Sequence, residues 1–353
     1  MSSGTYYQAE PDRGGKRKHP VRTTVLVLLG ILVVAGIVVA TYLFSLAYTF
    51  NTQTTTIAPA FPVEATRPVR APAAEHAMNI LLMGSDVGAG SGASEDLPGV
   101  PNGARSDTMM LMHIPENRDD VYVMSIMRDT WTELPGYGEH KINAAMSLGG
   151  VPLVVRTIEG MFHAPVDHVI IIDFEGFKGL TDALGGVEVN NPIAFQSEGV
   201  HGEFFDQGPV TLDGDSALKF VRERYAFTDG DYQRVENQQL FIKGVMSQLL
   251  RADTLTNPLK ISDVVHQISP YLSVDEDFNA GTAASLAFSL RSVRTDDVHF
   301  FTLPNLGIGT SLDGQSIVLK DDAAIAEIAD ALDTDSLGEY LESSHTEDQD
   351  VQG

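Results

Sequence analysis

Apolar and polar positions fall into three regimes along the chain. From Val25 to Tyr48 the run VLVLLGILVVAGIVVATYLFSLAY is apolar almost throughout, and no charged residue stands between Arg22 and Glu64. Two dozen helical residues reach about 36 Å, against a hydrocarbon core of about 30 Å, so the pattern predicts one transmembrane helix over residues 23–48. A cleavable signal peptide would carry a shorter apolar region, about 7–15 residues, and a small-x-small cleavage site; no clear one closes this run. Residues 49–77 then turn to Thr, Ala and Pro, with Pro59, Pro62, Pro68 and Pro72 spaced against any persistent helix or paired strand. They predict an extended stalk.

From Met78 the pattern changes again. Short apolar or β-branched runs at 79–83, 107–114, 119–127, 166–174 and 297–303 predict strands, several apolar on both faces. Helical spacing predicts helices over 149–162, 174–184, 233–250, 282–293 and 321–332, with Gly149-Gly150 and Gly185-Gly186 as helix stops. Strands alternating with helices imply an α/β layered domain over 78–335, its central mixed β-sheet flanked by helices and preceded by the single N-terminal transmembrane helix. The last stretch, 336–353, is polar and acidic and predicts a disordered tail. There is no internal repeat.

Charge adds topology. The chain has 353 residues with 23 Lys+Arg against 48 Asp+Glu, a net −25. The first 50 residues hold Arg13, Lys16, Arg17, Lys18 and Arg22 against Glu10 and Asp12, which leaves −28 on the remainder. A basic flank before an uncharged run places residues 1–22 in the cytoplasm as a basic tail and the body outside. The acidic body has no basic face for phosphates of nucleic acid, so no nucleic-acid partner is expected. With no cysteine, thiolate metal sites, disulfides and a Cys nucleophile are all excluded.

Common catalytic signatures are missing: no P-loop, zincin or nucleophile-elbow motif is present. Gly88-Ala89-Gly90-Ser91-Gly92 follows a strand but leads to Pro98 and Pro101 instead of a helix, which fits a surface loop. Acids and arginines instead gather at predicted element ends. Asp86 closes the first strand and Arg105-Ser106-Asp107 opens the second. The two carboxylates would suit Mg²⁺, which takes one or two such groups with waters and phosphate oxygens; the other reading has Asp86 capping a turn and Asp107 paired with an arginine. Arg128 follows the third strand and so also lies at the strand-end rim; the other reading is a surface arginine paired with Asp129 or another acid. In Phe220-Val221-Arg222-Glu223-Arg224-Tyr225, read as extended chain, Arg222 and Arg224 project to one side and Glu223 away. Arg234 and Gln238 are spaced i, i+4 near a helix N-terminus, which itself favours anions. In a chain this acidic, converging guanidinium forks call for something more anionic, such as phosphate or pyrophosphate.

The order and wording of NILLMGSD, RSDT, SIMRDT, KINAAMSLGG, VDHVIIIDFEGFKGLTDALGGV, VRERY and DYQRVENQQ resemble the LytR-CpsA-Psr family over about residues 78–251. The N-terminal anchor matches too, and the likeness fades after about residue 255. The resemblance implies an extracytoplasmic, Mg²⁺-dependent phosphotransferase (Mn²⁺ being a substitute ion). It would move a wall glycopolymer from a polyprenyl-pyrophosphate carrier to a peptidoglycan hydroxyl. Its motif residues fall here on Asp86 and Asp107 for the metal, and on Arg105, Arg128, Arg222, Arg224 and Arg234 around the pyrophosphate, with Gln238 beside them. The implied catalytic set is Arg105, Asp107 and Arg128, Asp107 doubling as a weak candidate base. Leu240, Phe241 and Val245 either line a groove for the lipid or pack in the core.

Two other readings share these residues: a hydrolase releasing the pyrophosphate-linked glycan to water, and a non-catalytic envelope regulator. About two dozen cytoplasmic residues are too few for a helix-turn-helix head. The topology is directly testable: a reporter fused after residue 60 is expected outside the membrane and one at residue 5 inside. Protease protection of the body in intact, wall-stripped cells would reverse the assignment.

Overall fold

The computed structural model describes residues 20–85, 93–94, 97–101, 106–198, 202–251 and 257–350; side chains of 20–24, 26–27, 93–107 and 345–350 are not described. The chain divides into two units at Ser45/Leu46. The first unit holds most of helix α1 (Pro20–Gln53), in which Leu28–Gln53 is long and apolar enough to cross a membrane. This agrees with the single predicted span.

The second unit is built on a seven-stranded mixed sheet. Its first strands are β1 (Thr55–Ile57) and β2 (Met78–Ser85); a small ribbon, β3 (Ala93–Ser94) with β4 (Leu97–Pro101), precedes β5 (Ser106–Ile114) and β6 (Val121–Ile126). Strands β7 (Thr130–Leu134) and β8 (Gly138–Lys141) and helix α2 (Ala144–Phe162) come next, then β9 (His168–Asp173) and helix α3 (Phe174–Ala183). Two ribbons follow, β10 (Val187–Asn191) with β13 (Gly208–Leu212) and β11 (Phe195–Gln196) with β12 (Phe204–Phe205), then helices α4 (Gly214–Arg222), α5 (Asp231–Leu249) and α6 (Pro258–Ile268). The chain closes with β14 (Leu272–Asp275), α7 (Ala280–Ser289), β15 (Val298–Thr302), β16 (Asn305–Thr310), β17 (Ser316–Lys320), α8 (Asp322–Asp333) and α9 (Leu337–Asp350).

The central sheet runs β1-β14-β9-β2-β5-β6-β15. β9 pairs parallel to β2 and β15 parallel to β6, while β5 is antiparallel to both its neighbours. The register explains why the central runs read as continuously apolar. On one face Leu81, Met83, Met109, Leu111 and Met124 pack with Val154, Val155 and Ile158 of α2 and Ile328 of α8. On the other, Ile80, Met110, Val121 and Val123 pack with Leu286 of α7 and Met246 of α5. A sheet covered on both sides needs apolar residues at every position of its strands.

Register also aligns one rim. Ser85 pairs with Ser106 and with Asp173, Met109 with Ile126, and Ser125 with Thr302. The C-terminal ends of β2, β6, β9 and β15 and the start of β5 therefore share one edge of the sheet. Thr55, two residues past α1, pairs with Ser273 beside Leu272–Ile172, so the chain joins the body at that same edge.

Three expectations are corrected. The Pro-rich stretch is not an extended stalk: Ile57 and Ala60 are buried, and Arg67 donates to the buried Glu159 at 2.8 Å while Arg70 meets Asp167 at 2.5 Å. Its prolines prevent a helix, yet an irregular chain can still dock when its few apolar and charged side chains find partners. Residues 337–350 form helix α9, with Leu337 buried and Tyr340 and Leu341 packed on the core, where a disordered tail is predicted. Gly150 (φ 67°) breaks α2 into two helical stretches and ends the first, in line with the predicted stop, and Pro152, just inside the resumed helix, needs no N–H partner there. Phe220-Val221-Arg222 is helical, the end of α4.

A second core supports that helix end. Phe220, fully buried, contacts Phe195 and Phe205 with ring centroids 5.4 Å apart in each case, within a cluster that includes Leu212, Phe241 and Val245. Phe220→Ala should therefore cost about 3–5 kcal/mol of stability, read as a lowered urea midpoint at unchanged slope.

Candidate active site

Arg128 lies two residues past β6, at the rim. Its carbonyl accepts the N–H of Asn143 at 3.2 Å, and Met127 beneath it is buried with Val235 and Val318. Arg222 ends α4. The following turn is held by Glu223, which is buried and accepts backbone N–H bonds from Arg224 (3.0 Å), Tyr225 (2.8 Å) and Ala226 (3.0 Å), while its second oxygen accepts from Glu198 (2.7 Å). Glu223 thus faces away from the exposed Arg222, as expected, and its buried carboxylate accepts the backbone N–H groups of the turn that carries two arginines.

Helix α5 approaches the rim from the other side. Gln239 donates to Ser125 Oγ at 2.9 Å and Thr302 Oγ1 at 3.1 Å, tying the helix to β6 and β15. Asn237 donates to Phe220 O and Gln238 to Val221 O, tying it to α4. Gln238 therefore braces the segment before Arg222.

Asp231, first residue of α5, is the centre of the site. Its Oδ2 lies 3.1 Å from Arg128 Nε and 3.1 Å from Arg234 Nη2, and its Oδ1 lies 3.5 Å from Arg224 Nη1. Three guanidiniums from three separate places in the chain thus meet one carboxylate. Arg224 also bonds the Tyr225 hydroxyl and stacks over that ring at 4.4 Å. The Tyr225 bond and Asp231 push the Arg224 guanidinium further into its charged form, against its desolvation and the repulsion of Arg128. Arg222 is exposed and stacks over Phe174, the residue after β9, at 4.5 Å. Asp129 lies 3.9 Å from Arg128 and 3.3 Å from Lys141.

The structure thus brings Arg128, Arg224 and Arg234 together, sets Arg222 on the same rim and gives Gln238 a bracing contact. Asp86, Arg105 and the Gly88–Gly92 loop lie outside the described residues, and of Asp107 only the backbone is described. Among the described residues no cluster of three or more His, Asp or Glu is arranged for a metal ion. Phe241 and Val245 are core residues, whereas Leu240 lines a surface cavity of about 290 Å³ with Gln239 and Phe300.

Sequence reasoning missed Asp231 and Lys141, although the first carried a signal. An acid three residues before Arg234 is an i, i+3 pair, and an acid in a first helical turn satisfies the N-terminal dipole that would otherwise favour a foreign anion. Lys141 carried none, because its nearness to Asp129 comes from the β7–β8 hairpin.

Known proteins resemble this chain in sequence and fold. A teichoic acid transferase named TagU from Oceanobacillus iheyensis is 38% identical over 195 residues, which cover 54% of this chain and 57% of that protein. The chain thus spans little more than half of that relative's length. A TagU of Enterococcus faecalis is 29% identical over 257 residues, covering 72% of this chain and 78% of that one. The crystal structure of B. subtilis TagV superposes with a TM-score of 0.62 at 23% identity, covering 73% of this chain and 97% of that chain. A LytR-Csp2A-Psr enzyme from Actinomyces oris gives 0.60 at 19% identity, over 80% and 96%. These likenesses agree with the fold, and the profile of the LytR_cpsA_psr family matches residues 41–334, from the last turns of the apolar helix to the end of α8. With the whole sheet and all the converging arginines inside that span, the chain belongs to the LytR-CpsA-Psr family.

Proposed function

We propose that this chain is a glycopolymer–peptidoglycan phosphotransferase. It takes a teichoic-acid-like wall polymer from a polyprenyl-pyrophosphate carrier and joins it to a peptidoglycan hydroxyl through a phosphodiester. The observation that carries this reading is the convergence of Arg128, Arg224 and Arg234 on the single carboxylate of Asp231. The cluster gathers guanidinium forks at one rim, with exposed Arg222 beside them, in a body of strongly negative net charge. Forks gathered in this way suit an anion of high charge and paired oxygens. The names of the relatives, transferases of teichoic acid to peptidoglycan, support a wall polymer as the cargo.

Phosphoryl transfer asks little covalent chemistry of a protein; positioning and charge neutralisation dominate. Arg128, Arg224 and Arg234 would hold the pyrophosphate oxygens, and Arg222 would meet it at the mouth. The acceptor hydroxyl then attacks the sugar-linked phosphorus. A P–O bond forms to the glycan, the P–O–P bridge breaks, polyprenyl phosphate leaves with the electron pair, and the hydroxyl proton passes to a base. Asp86 and Asp107 follow Ser85 and Ser106, a register pair on neighbouring strands, and their hard oxygens suit Mg²⁺ or Mn²⁺. When bound there, the ion would supply further neutralisation of phosphate charge. Residues 23–48 anchor the enzyme with its N-terminus in the cytoplasm and the body outside.

Asp86→Ala and Asp107→Ala should each abolish metal-dependent transfer while leaving the thermal midpoint near its original value; full turnover in both would remove the metal assignment. For Arg128, Arg224 and Arg234, Lys should fail almost as badly as Ala, because an ammonium keeps the charge and loses the fork. Each loss should amount to about 1.5–3 kcal/mol, roughly ten- to hundred-fold in rate. The assay is transfer from a synthetic polyprenyl-pyrophosphate glycan at low and high salt; near-normal Lys variants would defeat the reading. Asp231→Asn adds a test without turnover. The variant should melt lower, because three cations lose their common partner, and inorganic pyrophosphate should raise its midpoint more than that of the unaltered chain.

A further inference from the structure

The hairpin β16–β17 carries apolar side chains that the fold leaves uncovered. Leu306 is 67% and Ile308 68% exposed, Leu312 at the tip is fully exposed, and Leu319 on the return strand is partly so. Strand β16 alternates strictly, with Asn305, Gly307 and Gly309 inward and Leu306, Ile308 and Thr310 outward. It is also the free edge of the four-stranded sheet β16-β17-β7-β8. Long apolar edge strands invite aggregation, and soluble proteins usually blunt them with charge. Here no Asp, Glu, Lys or Arg occurs from Val298 to Leu312, in a chain that otherwise carries 48 acids. Asp313 at the tip is tied down by the Ser311 hydroxyl and by Gln315 Nε2 at 2.6 Å.

The hairpin is fixed beside the arginine cluster. Val318 is buried with Met127 and Val235, the neighbours of Arg128 and Arg234, and its N–H donates to Asp129 O at 2.9 Å. Tyr232, next to Asp231, donates its hydroxyl to Asn305 at 2.7 Å. Because Val318 pairs with Thr130 in a parallel ladder, the tip preceding Ser316 lies past the start of β7, on the side of Asp129 and Arg128. That is the rim at which Thr55 brings the chain in from α1.

We propose that the outward face of this hairpin, Leu306, Ile308 and Leu312, rests in the interfacial layer of the bilayer that holds the chain's own anchor. Three observations select lipid over other occupants: the chain carries a helix able to span a membrane, the apolar row lies at the rim where the body leaves that helix, and the row is uncharged. An edge strand keeps unpaired backbone groups, which the hydrocarbon core would not tolerate but the hydrated interface does. Seated so, the hairpin would hold the arginine cluster at headgroup level, where a lipid-linked pyrophosphate presents its charge. The proposal rests on the anchor reading and on the site above, but its test reads lipid contact and no turnover.

With no native cysteine, single probes are free of background. The full chain with Leu312→Cys or Ile308→Cys, labelled with an environment-sensitive fluorophore, is placed in phosphatidylcholine/phosphatidylglycerol nanodiscs at one chain per disc. Glu116→Cys, in the β5–β6 turn at the opposite end of the sheet, is the control. The 312 and 308 probes should emit to the blue of the 116 probe and be quenched by a lipid-borne nitroxide, with the 116 probe unmoved. Probes at 312 and 308 that emit like the control and escape quenching would overturn the proposal while leaving the anchor and site readings intact. A blue shift without lipid quenching would instead indicate a protein surface and also overturn it. Failure of the chain to enter discs would overturn the anchor reading and this proposal together.

Discussion

Like charges have to be forced together, and the placing of Arg128, Arg224 and Arg234 around Asp231 is the constraint that the rest of this body serves. Guanidiniums gathered around one carboxylate repel one another at close range, and the repulsion is larger where water is partly excluded. Convergence survives because each arginine is carried by a backbone held elsewhere. Arg128 is fixed by the end of a central strand, Arg224 by a turn wrapped on the buried Glu223 carboxylate, and Arg234 by a helix bound to two strands through Gln239. Asp231, itself set by the first turn of that helix, lowers the cost of the convergence.

This division of labour explains the two cores. The larger one, on both faces of the mixed sheet, defines the rim and little else about the chemistry. The smaller aromatic one, with Phe195, Phe205 and Phe220 at its centre, holds the end of α4 against α5 and so sets how Arg222 and Arg224 face Arg234. A cavity in the first would cost stability broadly, while a cavity in the second would also change the aim of the guanidinium forks.

Much of this was legible in the chain. The apolar span, the five longest strands of the central sheet and the helices at 174–184, 233–250 and 321–332 follow from periodicity, because an element buried along its length must show its period. The arginines at element ends were visible too, since polar residues at the end of a buried strand have few structural reasons to be there. What periodicity could not show were short or irregular pieces whose order comes from contact: β1 docked beside β14, the Pro-rich segment held by Arg67 on Glu159 and Arg70 on Asp167, and helix α9 seated through Leu337. Their local sequences favour no structure strongly, and distant partners decide.

The sequence by itself determined the fold class, the long apolar N-terminal helix, the family resemblance and the cast of arginines, because each depends on residue type and local spacing. Only the tertiary structure decided that Asp231 is their common partner, that Glu223 turns inward, that Gln238 braces α4 and that an uncharged hairpin stands beside them. Those facts depend on which distant segments share a rim, and that is set by strand register and core packing, quantities that no local pattern contains.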